Sequence, residues 1–201
     1  MSRILEYQPT ESSCGPTSIK IACNILNIHQ DKTPLEIFSY CKNQRKGAPW
    51  WRMLDMLDKL DINYQANVGS YQQLITNLKE EKITLLSVDM KGIKHWCVAL
   101  FVDPKNTKTI TFFDPYLGYY EADFDHLYKL TKSRSFFHIC VNTKTKNKYF
   151  VDPVFRYIDD NDMMLVGEAN NYFDQKVLFY YGYDENKILA YGKNGDIIWA
   201  R

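Results

Sequence analysis

The sequence changes its hydrophobic period once, near Ile83, and that change limits what the chain can fold into. Before it, apolar residues recur at helical spacing: Ile19, Ala22, Cys23 and Leu26, then Trp50, Met53, Leu54, Leu57 and Leu60, then Leu74, Ile75 and Leu78. Such spacing lays one apolar stripe along a helix. A further short helix is read from Asp31-Lys32-Thr33-Pro34, with Thr33 as cap, Pro34 at the first position, Leu35, Phe38 and Tyr40 following, and an end near Cys41. Lys42 to Gly47 reads as a polar loop. From Ile83 the apolar residues run in blocks that read as strands: Ile83–Val88, His95–Val102, Thr107–Asp114 and Phe136–Val141. Lys91-Gly92, Asp103-Pro104-Lys105-Asn106, Pro115 and Gly118 break them, and Phe124 to Leu130 reads as a short helix. Helices first and an antiparallel sheet second predict an α+β fold.

With 201 residues the chain can bury a real core, so the expectation is a main domain over residues 1–145 and a β-rich extension over 146–201. The extension alternates short strand-like pieces (Tyr149–Val151, Met163–Val166, Val177–Tyr181, Lys187–Tyr191, Asp196–Trp199) with hairpin-like turns at Asp184-Glu185-Asn186 and Lys193-Asn194-Gly195. Its function is not legible from these residues. Formal net charge is +1 and the Lys and Arg residues are scattered, which disfavours nucleic acid or a membrane surface as partner. The one basic run, Lys144-Thr145-Lys146-Asn147-Lys148, reads as a solvated loop.

The five cysteines, Cys14, Cys23, Cys41, Cys97 and Cys140, include no CxxC pair and no histidine at finger spacing. Neither a disulfide framework nor a zinc site is expected, and no metal or cofactor is implied. The N-terminus lacks the apolar run of a signal peptide, and no stretch is long and apolar enough to span a membrane. The expectation is a soluble protein of the cytoplasm, or one exported by a leaderless route.

Chemistry concentrates where Gln8-Pro9-Thr10-Glu11-Ser12-Ser13-Cys14-Gly15-Pro16 enters the first helix. The opening N–H groups of a helix have no internal partner, and its dipole favours negative charge there, so a helix start suits a reactive thiol. Gly15 allows a close turn, and Pro16 suits the first helical position. Taken alone, Cys14 reads equally well as an ordinary core cysteine. Placing a hairpin turn at Asp103–Asn106 sets Val102 opposite Thr107 and His95 opposite Asp114. Opposed side chains share a face with Cβ atoms roughly 4.5–5.5 Å apart, which would set an imidazole beside a carboxylate. Taken singly, His95 is also a half-buried surface histidine, Asp114 a turn-former before Pro115, and Gln8 a polar residue in an exposed arm.

Thiol, imidazole and carboxylate together are what thiolate attack on a carbonyl requires. His95 would take the thiol proton and later protonate the leaving group, and Asp114 would orient the imidazole. The oxyanion needs fixed donors, for which the Gln8 amide and the Cys14 backbone N–H are candidates.

Gln8 six residues before Cys14-Gly15-Pro16, then His95-Trp96 on a strand and Phe113-Asp114-Pro115 with Gly118, resembles the papain-like cysteine peptidases. Within them the pattern is most similar to the bacteriocin-processing, double-glycine leader peptidases and their free-standing relatives. The resemblance covers roughly residues 4–141. It implies a papain-like domain over 1–145, with Cys14 as nucleophile, His95 as base, Asp114 as orienting acid, Gln8 as oxyanion donor and a peptide or protein as substrate. Many members of that group are fused to a membrane transporter, whereas this chain carries no span. A side-chain amidase, deamidase or acyl transferase acting on another protein, such as an exported effector, would share the chemistry up to the acyl-enzyme. A non-enzymatic binding module is the third reading.

The other histidines read blandly: His29 ends the first helix, His126 lies in an acidic polar stretch, and His138 sits in a buried strand. Cys97 shares a strand face with His95 but reads as buried filler, like Cys23, Cys41 and Cys140. Trp50 and Trp51 read as packing residues, or as the wall of a groove.

Overall fold

Helix α1 (Cys14–Leu26) is buried at every position from Cys14 to Asn24. A computed structural model of the chain describes residues 5–40, 47–90, 92–102, 109–141, 144, 147–151, 178–181, 188–191 and 197–200. The polar members of α1 are buried as well. Lys20 donates its ammonium to the carbonyls of His29 and Gln30 at 3.2 and 3.1 Å, and the Asn24 amide donates to Glu6 at 3.0 Å. The helix stops at Asn27, which takes the left-handed conformation at φ 57, and the Ile28 N–H returns to the Cys23 carbonyl at 3.0 Å. His29 therefore lies past the helix end, itself at φ 46.

Around α1 stand α2 (Pro34–Ser39) and α3 (Trp50–Lys59). Thr33 caps α2 with Pro34 in its first turn, as the sequence predicts, and Glu36 adds the return bond of a reciprocal capping box. Leu35, one of the apolar residues that mark this helix in the sequence, is exposed, while Ile37 and Phe38 are buried. Trp50 stacks on Tyr149 with centroids 5.3 Å apart and also meets Phe137, so it packs the core.

The main sheet has seven strands: β1 (Tyr64–Val68), β2 (Thr84–Met90), β3 (Ile93–Val102), β4 (Thr109–Asp114), β5 (Gly118–Asp123), β6 (His138–Val141) and β7 (Lys148–Val151). Their spatial order is β5-β4-β3-β2-β6-β1-β7, antiparallel throughout except for the parallel pair β1–β7. Helices α4 (Tyr71–Lys79) and α5 (Phe124–Lys132) complete the fold.

Both faces of this sheet are covered. Leu85, Trp96, Val98, Phe113 and Ile139 pack with α1, α2 and α3, while Leu86, Val88, Cys97, Ala99, Ile110 and Phe112 pack with α4 and α5. Successive strand residues face opposite ways, so a strand covered on both sides reads as an unbroken apolar run. That is why Ile83–Val88 and His95–Val102 show no alternation in sequence.

β1 and β5 are not legible as strands in the sequence. In β1, Gln65 and Asn67 alternate with Tyr64, Ala66 and Val68, and the two amides bond each other at 3.0 Å. β5 is an edge strand that leaves Tyr119 exposed. Past residue 145, β7 extends the main sheet, and Asn147 accepts the Tyr64 N–H at 3.0 Å. Three further strands, β8 (Leu178–Tyr181), β9 (Ile188–Tyr191) and β10 (Ile197–Ala200), form an antiparallel sheet in the order β10-β9-β8. The strand read at Met163–Val166, the turns at 103–106, 184–186 and 193–195, and Cys41 lie outside the described residues.

Candidate active site

Cys14 is the first residue of α1, and among the described residues no side chain caps that helix end. Ser13, placed to do so, turns its hydroxyl back to Thr10, donating to the carbonyl at 2.8 Å and accepting the Thr10 N–H at 3.0 Å. The positive end of α1 is thus left open at the thiol. Gly15 is what lets the helix start sit this deep. A Cβ there would stand 2.6 Å from Met53 Sδ and 2.7 Å from Ala48 Cβ. Trp96 Nε1 donates to the Ala48 carbonyl at 2.7 Å, tying β3 to the same segment.

His95 and Asp114 meet, but not in the register read from sequence. The expected pairing set Val102 opposite Thr107 and His95 opposite Asp114; instead Val102 pairs with Ile110 and Val98 with Phe113. The pairing therefore begins farther along the chain than a tight hairpin would set it, and an irregularity between Ala99 and Phe101 shifts the ladder again. Continued past Val98, this register sets Cys97 opposite Asp114 and His95 one pair further along the same face. The expected register was wrong by two at Val98, and an even slip keeps every side chain on its own face. Diagonal neighbours remain within reach of long side chains. His95 Nε2 lies 2.7 Å from Asp114 Oδ1.

Asp114 is 1% exposed and His95 9% exposed, so the pair is withdrawn from water. Oδ1 of Asp114 also accepts the N–H groups of Tyr116 and Leu117, at 2.7 and 3.1 Å, where the chain turns after β4. With Nε2 given to Asp114, Nδ1 is the ring nitrogen left to face Cys14, whose side chain favours the charged form of His95. Burial works against charge on His95. The hydrogen bond to Asp114, the Cys14 side chain and the charge of Asp114 outweigh it and lift the imidazole from 6.5 to about 9. Burial likewise opposes charge on Asp114, but His95 and the two backbone donors hold its carboxyl below the ordinary value. The pair is therefore an imidazolium and a carboxylate at neutral pH.

Gln8 is brought to the same end of the sheet, its backbone N–H donating to the Pro115 carbonyl at 2.8 Å. Its side-chain Nε2 donates to the Thr10 carbonyl at 3.0 Å, and its Oε1 is buried with no hydrogen-bond partner among the described residues. The amide donor sought from sequence thus faces Thr10.

Cys97, read from sequence as filler, is fully buried and lies at the site, its Sγ 3.7 Å from Asp114 Oδ2. The signal for it was the two-residue spacing from His95. His95, Cys97 and Asp114 offer ligand atoms within 4.8 Å of one another, a group of the kind that holds metal ions. The 2.7 Å between Nε2 and Oδ1 is a hydrogen-bond distance. Two such ligands on one zinc ion, each bonded at about 2.0–2.2 Å in a tetrahedral site, stand farther apart, so the spacing suits a shared proton. The remaining histidines serve structure. His126 meets the Tyr120 hydroxyl at 2.8 Å. His138, bonded to Asn77 and Phe136, is pushed by burial down to about 4 and stays neutral.

No family model matches the chain, and no curated protein matches it. Solved structures do. The peptidase domain of Streptococcus ComA, a bifunctional ABC transporter involved in a quorum-sensing pathway, aligns with 70% of this chain and 98% of that one, at 13% identity and a TM-score of 0.53. A double-glycine motif protease from an AMS/PCAT transporter, solved in complex with its leader peptide, aligns with 70% of this chain and 91% of that one, at 16% identity and a TM-score of 0.51. The likeness is one of fold: the chain has the α+β, papain-like fold of these peptidase domains. No helix among the described residues is long and apolar enough to cross a membrane.

Proposed function

We propose that this chain is a cysteine peptidase that hydrolyses a peptide bond in a peptide or protein through Cys14, His95 and Asp114. The observation that carries the reading is the buried His95–Asp114 hydrogen bond, with the Cys14 side chain near enough at the start of α1 to act on the charge of the ring, inside a papain-like fold. Cys14, its thiol proton held on His95 Nδ1, attacks the scissile carbonyl carbon through sulfur, and the carbonyl electron pair becomes an oxyanion beside the start of α1. The proton on His95 Nδ1 passes to the leaving amine as the C–N bond breaks, and a thioester remains. Water then attacks the thioester, its proton going to His95, and the C–S bond breaks to release the acid. Asp114 keeps the imidazole oriented and favours its charged form throughout. The Cys14 N–H and the Gln8 amide are the donors this reading assigns to the oxyanion.

Incubation with candidate peptides and proteins, read by intact mass, tests this directly. Chain cleavage dependent on Cys14 is the expected result. A deamidation shift of about one dalton, or an added group, would instead mark an amidase or a transferase built on the same acyl-enzyme. No Cys14-dependent change in any substrate would leave a binding module.

The pH profile carries its own expectation. The imidazolium must be present to protonate the leaving amine, and it is lost as pH rises through about 9. kcat/KM should therefore fall on the alkaline side with a midpoint near that value, and Asp114→Ala should move the midpoint to lower pH. An alkaline limb left in place by Asp114→Ala would count against the pairing.

A further inference from the structure

We propose that Cys97 is a positioning residue for the His95–Asp114 pair, its thiol holding the second carboxylate oxygen of Asp114. The two oxygens are loaded unequally. Oδ1 accepts from His95 Nε2, Tyr116 N and Leu117 N, at 2.7, 2.7 and 3.1 Å. On Oδ2 the contact that the geometry supplies is the Cys97 S–H, at 3.7 Å. Asp114 is 1% exposed and Cys97 0%, so the thiol takes the place that water would have at a surface carboxylate. A buried carboxylate oxygen without a donor is costly, and the cost falls on the charged form. The position follows from the ladder, since the register that pairs Val98 with Phe113, continued by one residue, sets Cys97 opposite Asp114. Burial also keeps this thiol well above its ordinary titration range, and the Asp114 charge adds to that, so it remains an S–H donor at any working pH. It is thus a fixed weak donor, distinct from the thiol of Cys14.

The effect on Cys14 reactivity rests on the peptidase reading; the effect on His95 does not, and the test uses that difference. Alanine and serine at position 97 remove similar bulk and differ in whether a donor remains. His95 is followed by imidazole NMR titration, its signal identified by its absence in His95→Gln. Without the thiol to hold Oδ2 the carboxylate can turn and loosen its bond to the ring, so Cys97→Ala is expected to lower the His95 midpoint by about half a unit or more, and Cys97→Ser to restore most of that fall. The rate of Cys14 carbamidomethylation near neutral pH should drop several-fold in Cys97→Ala and recover in Cys97→Ser. Equal midpoints in the parent and Cys97→Ala, or equal shifts in the alanine and serine variants, would overturn the proposal and leave Cys97 as core filler. Melting temperatures falling alike in both variants, with the midpoint unmoved, would overturn it in the same way. Should Cys14 prove unreactive in the parent, the peptidase reading fails while the His95 titration still decides the role of Cys97.

Discussion

Replacing Cys14 by alanine is expected to cut turnover by at least about a thousandfold, because removing a nucleophile leaves only binding and oxyanion stabilisation. The fold should barely notice. Cys14 is 7% exposed and sits at a helix end, so the change deletes one sulfur atom while keeping the Cβ. Losing so small a buried group costs on the order of 1 kcal/mol. Melting temperature and activity, measured on the same preparation, thus separate a nucleophile from a core cysteine. A large loss of stability with activity retained in the folded fraction would favour the core reading. Peptide mapping after brief iodoacetamide treatment gives an independent check. Cys14 should be labelled well before the other four cysteines, and uniform labelling would count against an activated thiol.

Much of the candidate site could be read from sequence because its parts sit at places where local rules are strong. The thiol precedes glycine and proline at a helix start, and the carboxylate precedes proline at a strand end. The His95–Asp114 contact survived a misplaced hairpin since the slip at Val98 was even, and alternation keeps both groups on one face after such a slip. What stayed hidden depends on long-range pairing. β1 inserts between β6 and β7 through partners more than seventy residues away, and nothing in Tyr64-Gln65-Ala66-Asn67-Val68 announces them. Cys97 is chemically silent until the register places it against Asp114. Gln8 could be named from its spacing to Cys14, but the direction of its amide is set by Thr10, whose carbonyl also accepts from the Ser13 N–H and hydroxyl.

That amide yields the second large expectation. Gln8→Ala should lower kcat by about 10²–10³, the usual cost of removing one oxyanion donor, with little change in KM. The resting arrangement does not yet offer the donor, because Nε2 is bonded to Thr10 at 3.0 Å and Oε1 is the buried atom without a partner among the described residues. Turning the amide over would put two N–H groups where Oε1 now lies and set Oε1 against the Thr10 carbonyl. Such a turn is unfavourable at rest. A charge-assisted bond to a developing oxyanion can offset it, so the donor gains most where negative charge forms. The alanine variant deletes the bond to the Thr10 carbonyl, which keeps its two Ser13 donors, and also a buried oxygen with no hydrogen-bond partner among the described residues, a group whose desolvation costs about 1–3 kcal/mol. Its stability to urea should therefore equal or exceed that of the parent even as kcat falls. Gln8→Glu keeps the shape and removes the donor, and it should be as poor a catalyst as the alanine variant. A Gln8→Glu protein retaining parental kcat would show that the oxyanion takes its hydrogen bonds elsewhere, from the open N–H groups of α1.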